Sequence, residues 1–165
     1  PTSGVVQVTT TGTPSTSVAV TTTPFPTSTS LPTNTITPTP TKTLSAFNYI
    51  VQEGSPIALE NIFNSKGCAW MGVIGQAFEL DTSPRFGLIV HVDGGGINID
   101  AFTGSNTKVG PAGYEIQLSD HPIQTNGTYK VQLRDGAAPL SDVVTLSTSS
   151  DCKRNAIMLN FVRVR

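Results

Sequence analysis

The chain has 165 residues, a net charge of −1, 37% hydrophobic and only 13% charged residues, and two cysteines. That balance lacks the basic footprint of a nucleic-acid or polybasic membrane binder. No run approaches the roughly 18 apolar residues that a membrane-crossing helix needs, so no transmembrane segment is expected. Soluble domains average about 25% charged residues, so this surface is expected to be polar without being ionic. The sequence opens at Pro1 with no basic-then-apolar leader, as expected of a processed secreted form or a fragment.

Residues 1–45 contain 17 Thr, 6 Ser and 7 Pro, with Lys42 as the only charge. Every acid, both cysteines, the tryptophan and all tyrosines lie beyond them. Two parts follow: an extended Thr/Ser/Pro-rich tail over 1–45 and one packed domain over 46–165. The tail has the composition of an O-glycosylated stalk. Its candidate sugar acceptors are Thr9, Thr10, Thr11, Thr21, Thr22, Thr23, Thr27, Thr29, Thr33, Thr35, Thr37, Thr39 and Thr41. Prolines at 24, 26, 32, 38 and 40 favour extended backbone and forbid helix. The plain alternative is a flexible linker. Against it stands an internal echo: residues 6–11 (VQVTTT) recur as residues 18–23 (VAVTTT). Both runs are rich in β-branched residues and suit addition to a sheet. Val5, Val6, Val8, Val18 and Val20, with Phe25, Leu31 and Ile36 as isolated apolar anchors, are the candidate assembly residues.

From Phe47 onward the pattern has period two. The first strand is expected over 47–52. Residues 57–63 suit either a helical turn or a strand. Further strands are expected over 70–80, 88–93 and 97–102, the last two joined by Gly94-Gly95-Gly96. Tyr114, Ile116 and Leu118 alternate with Glu115 and Gln117, and Tyr129, Val131 and Leu133 alternate with Lys130, Gln132 and Arg134. Asn126-Gly127 between these two runs is read as a hairpin turn. Strands over 142–147 and 156–165 complete the set. Seven or eight short strands without a helical period predict an all-β, antiparallel β-sandwich. In the last strand Ile157, Leu159 and Phe161 share one face, yet Met158, Val162 and Val164 are apolar too. Either a bulge shifts the phase there or both faces are covered.

Cys68 and Cys152 precede the first and last core strands, and their separation fits neither a CxxC redox pair nor a zinc site. A single disulfide is expected, and with it an oxidising compartment. His91 and His121 are too few for a metal centre. Gly94–Gly96 lacks the phosphate-loop consensus, and no Gly-x-Ser-x-Gly elbow occurs, so neither a cofactor nor catalysis is expected. Asn126-Gly127-Thr128 also fits the N-glycosylation pattern. Lys66 and Asn160 are the residue types of a lysine–asparagine isopeptide link, the alternative cross-link to the disulfide.

Gly72-Val-Ile-Gly75-Gln-Ala-Phe78, Gly87-Leu-Ile-Val-His-Val92, Gly113-Tyr114-Glu-Ile116 and Gly127-Thr128-Tyr129-Lys-Val131 resemble the carboxypeptidase-regulatory-like, or prealbumin-like, group of Ig-type sandwiches over residues 68–165. Cys68-Ala-Trp70-Met-Gly72 and Asp151-Cys152-Lys-Arg-Asn155 are similar to a secreted bacterial form of that domain, found behind Thr/Pro-rich stretches of surface proteins. Thr82-Ser-Pro84-Arg-Phe86 departs from the group's usual Gly-x-Pro-Leu turn. The resemblance implies an Ig-like fold at the cell surface with no active site. The expected function is a structural subunit of an extracellular filament, a homopolymer of copies joined through their tails and sheathed by O-linked glycans. The alternatives are a carbohydrate- or surface-binding module, which needs exposed aromatics such as Trp70 and Phe86, and an inert spacer.

Overall fold

A computed structural model describes residues 45–165, and residue 12 by itself. Eleven strand segments occur among them: β1 (Tyr49–Val51), β2 (Ile57–Leu59), β3 (Met71–Phe78), β4 (Ile89–Gly94), β5 (Ile97–Phe102), β6 (Gly113–Ser119), β7 (Thr125–Asp135), β8 (Ala138–Pro139), β9 (Val144–Thr148), β10 (Ala156–Met158) and β11 (Phe161–Arg163). A single 3-10 turn, Cys152–Arg154, precedes β10. The ambiguous 57–63 stretch thus contains a strand, β2, and no helix.

The strands form two sheets. In the first, β3 has β6 antiparallel on one side and β10 followed by β11 on the other, with β2 outside β10 and β1 outside β11. In the second, β4 and β7 pair at the centre, β5 lies outside β4, and β8 and β9 share the far side of β7. With β1/β2, β8/β9 and β10/β11 each counted as one interrupted strand, eight strand tracks result, and the architecture is a β-sandwich. Its pairing is mixed. Both β10 and β11 run parallel to β3, with Ala156 opposite Gly72 and Phe161 opposite Ala77, where an antiparallel sandwich was expected. Alternation reports which face a residue takes and carries no information on strand direction.

The interior follows the alternation. Val90, Val92, Val131 and Leu133 of one sheet meet Val73, Ala77, Tyr114, Ile116, Leu159 and Phe161 of the other, all at 2% exposure or less. A second cluster covers the outer face of the first sheet: Trp70, Ile74 and Ala156, packed against Leu59, Phe63, Val109 and Met158. Of the two readings of the last strand, covered faces therefore hold at Met158. β3 is consequently buried on both sides from Met71 to Gly75. That crowding is why Gly75 is glycine: a Cβ there would meet the Leu159 carbonyl oxygen and the Tyr114 hydroxyl.

The edge track and the last track break at the same level. Ser55 Oγ donates to Met158 O (3.0 Å) and accepts from Asn160 N (3.0 Å), while Asn160 Nδ2 donates to Gln52 Oε1 (2.9 Å) and its Oδ1 accepts from Gln76 N (2.9 Å). Side chains replace the ladder bonds lost at the interruption. The glycine turn between β4 and β5 is the expected one. Gly95 and Gly96, with φ of +61° and +83°, join β4 to β5, and Gly136, with φ of +56°, opens the turn into β8. Asn126-Gly127 is different. It lies inside β7, where the register against β9 slips between Thr125 and Tyr129, so it is a bulge rather than a hairpin tip. A glycine-type bulge and a type I′ turn both use positive φ, which Gly127 supplies at +62°.

Candidate functional site

The parallel pairing explains the cysteines. Cys68 and Cys152 each stand four positions ahead of the register partners Gly72 and Ala156. They enter the sheet side by side at disulfide distance, with Cα atoms 5.2 Å apart. Both are exposed. Beside them Asn155, at 1% exposure, ties the incoming loop to the last strand. Its Oδ1 accepts from Asn61 N (2.8 Å), and its Nδ2 donates to Gly67 O (2.8 Å) and Trp70 O (2.7 Å). The sequence offered it only as the last letter of a resemblance motif.

The sandwich has two seams where sheet edges face each other. One lies between β5 and β6, where Gly104 N and Asn106 N both donate to Gly113 O (2.9 and 3.0 Å). The other runs beside β1 and β2. Its upper part is bonded across the sheets by Tyr49 N to Leu140 O (3.0 Å) and Ser45 Oγ to Asp142 Oδ2 (2.8 Å). Lower down, β2 and β9 flank a groove of about 220 Å³ floored by Ala58, Leu146 and Ile157 and rimmed by Pro56, Thr145, Ser147 and Arg154. Among the described residues neither β2 nor β9 has a strand on its outer edge.

At the end where the chain enters, Glu79 gathers three partners: Arg163 (3.0 Å), Arg85 (3.4 Å) and the Tyr49 hydroxyl (3.3 Å). Desolvation and the nearby Glu79 carboxylate raise the Tyr49 pKa, and the hydrogen bond that Arg163 donates to Glu79 raises that of Arg163. On the outer face of the first sheet Glu115 accepts from the amides of Asn64 and Asn106. Glu79 is met by two guanidinium groups and Glu115 by two neutral amides, and both carboxylates hold loops to strands.

The remaining sequence candidates resolve as follows. His91 shares a 2.6 Å hydrogen bond with Asp100, and His121 one of 2.6 Å with Asp120. No group of three metal-ligating side chains occurs among the described residues. Lys66 Nζ bonds Gln117 Oε1 (2.7 Å), while Asn160 is engaged with Gln52, Ser55 and Gln76, so no isopeptide pair forms. Trp70 is 1% exposed and Phe86 55%, which removes the indole from any aromatic binding platform. Asn126 is exposed. The assembly candidates Val5, Val6, Val8, Val18, Val20, Phe25, Leu31 and Ile36, and the threonine acceptors, lie outside the described residues. No described helix is long and apolar enough to cross a membrane. Comparison with known protein families, curated proteins and solved structures matches nothing to this chain.

Proposed function

We propose that this chain is a structural subunit of an extracellular filament, in which the Thr/Ser/Pro-rich tail of one copy docks on the Ig-like sandwich of the next. One observation carries the reading. A tail with a single charge and two near-identical β-branched runs precedes a sandwich with unpaired sheet edges among its described residues. Such runs have too few apolar neighbours to build an interior, so ordering them requires a sheet from elsewhere. A donor that reaches away from its own domain makes a head-to-tail contact, and contacts of that kind propagate into fibres when they do not close. The unusually low charge suits a surface hydrated by hydroxyls and O-linked sugar, and the cysteine pair suits an oxidising location at the cell surface.

The test is removal of residues 1–24 from the full chain, with assembly followed by sedimentation velocity and negative-stain microscopy. The truncated protein is expected to stay monomeric with an unchanged far-UV spectrum. Fibres of the same geometry from the truncated protein would overturn the reading. Intact-mass measurement of material from the native host is expected to show heterogeneous hexose-type additions within residues 9–43, and a single unmodified mass would remove the glycan sheath.

A further inference from the structure

We infer that the groove between β2 and β9 is the acceptor, and that its occupant is the run 18–23 of a second copy. The inference rests on the filament reading and names its contact surface. Each of the two seam strands is a sheet edge, so alternate N–H and C=O groups of both point outward along the same groove. The floor is apolar, with Leu146 and Ile157 at 2% and 4% exposure. Arg154 is the only charged residue lining it. An extended segment laid along β9 would present alternate side chains to that floor and to solvent. The run 18–23 has the needed character: Val18 and Val20 share one face, Ala19 takes the other, and no residue in it is charged.

Chain length brings a neighbour's groove within reach. Between residue 23 and Ser45 lie 21 residues, five of them proline. A proline-rich spacer of that length reaches roughly 65 Å at about 3.1 Å per residue. A domain of this size is only some 35 to 40 Å across, from its expected radius of gyration of about 13 to 14 Å. The chain's own groove starts close to Ser45, which bonds Asp142 immediately before β9. Docking on that groove is the alternative that the isotope mixing below separates. Direct edge-to-edge pairing of two domains is a poor alternative, because β2 has three residues and β9 five.

The experiment uses the full chain with benzoyl-phenylalanine in place of Thr145 on the groove rim, and separately in place of Ile99 on β5 at the other seam. Equal amounts of natural-abundance and nitrogen-15 protein are mixed before assembly and photolysis. The expected product from position 145 joins the peptide carrying residues 18–23, with mixed-isotope pairs as abundant as like pairs, and position 99 gives none. Val20→Asp, which forces a carboxylate toward an apolar floor, is expected to raise the concentration needed for assembly at least about tenfold. Like-isotope pairs alone would mean docking on the chain's own groove, and links from 145 to another sandwich would mean edge-to-edge pairing. Either result overturns tail docking between copies as well as the groove, whereas tail links from 99 instead of 145, with mixed isotopes, overturn the groove alone and leave the tail-joined filament. A wild-type chain that never assembles overturns both.

Discussion

Asn155 offers the sharpest test of how the fold is held. Its amide makes three hydrogen bonds from a position 1% exposed, joining Asn61, Gly67 and Trp70 to the start of β10. At about 1 kcal/mol net per neutral bond, Asn155→Ala is expected to cost about 3 kcal/mol, because the Asn61 amide and two carbonyls then lack partners. That is a large share of a typical total of about 5 to 15 kcal/mol. Urea unfolding followed by the fluorescence of Trp70, the single tryptophan, reads the change beside the site. With a urea slope of about 1.5 kcal/mol per molar, the midpoint falls by about 2 M with the slope unchanged. Asn155→Asp separates hydrogen bonding from shape. It keeps the acceptor for Asn61 but turns a carboxylate oxygen toward the Gly67 and Trp70 carbonyls, which raises the folded-state pKa above the unfolded one. The deficit of Asn155→Asp relative to wild type should therefore shrink as pH falls toward 4, whereas that of Asn155→Ala should not. A midpoint shift below about 0.5 M for Asn155→Ala would refute the reasoning, since it would place the three bonds at the value of exposed contacts.

Other consequences are equally direct. Gly75→Ala drives a Cβ into the Leu159 carbonyl and is expected to cost about 3 kcal/mol or more. Gly54→Ala, at φ +81° with open space around it, should cost only about 1 kcal/mol, and equal losses in urea melts would undo the packing account. Burial raises the Tyr114 pKa strongly. Below about pH 10 the unfolded and folded tyrosines are both neutral and nothing changes; above it the unfolded one ionises first and stability falls by about 1.4 kcal/mol per pH unit. Tyr114→Phe should flatten that alkaline decline, and an unchanged slope would contradict it. Peptide mapping without reductant should link Cys68 to Cys152, and free labelling of both thiols in native protein would oppose the pairing.

The half-buried strands were legible because their surroundings differ on the two faces. β6 and β7 alternate since one side meets the opposite sheet and the other meets water. β3 does not alternate, because the loop carrying Phe63 and Trp70 covers its outer face, and a long-range covering leaves no local signature. Parallel pairing was invisible for the same reason. Direction is set by where the chain crosses between sheets, which no side-chain pattern encodes. The Asn126-Gly127 dipeptide misled because a glycine at positive φ serves a glycine-type bulge as well as a tight turn, while the true reversal between β6 and β7 falls at residues 120–124. The cysteine pair was legible by count alone. The groove beside β9 was not, since it exists only where two edges distant in sequence stop short of each other. The tail showed its composition plainly, whereas the acceptor proposed for it was not legible, because that groove exists only in the folded geometry.

The position of the cysteine pair has a mechanical consequence for any chain pulled through its tail. Tension enters at Ser45, where Arg165 Nη2 holds the Ser45 and Phe47 carbonyls (2.7 and 3.1 Å) and β1 pairs with β11 over three residues. Short antiparallel pairings of this kind yield before the interior does, so the first material released is the edge track formed by β1 and β2. Beyond it the load reaches Cys68. A disulfide there passes the force directly to Cys152, and the intervening separation of 84 residues, which contains β3 to β9, carries none of it. Pulled between residue 45 and residue 165 in a force microscope, the oxidised protein should therefore release about 300 Å less contour length than the reduced one, at about 3.5 Å for each shielded residue. Equal lengths in the two redox states would show that the cysteines are not bonded in the folded protein, and would remove the strongest reason for placing the chain where tension and oxidation are both normal conditions.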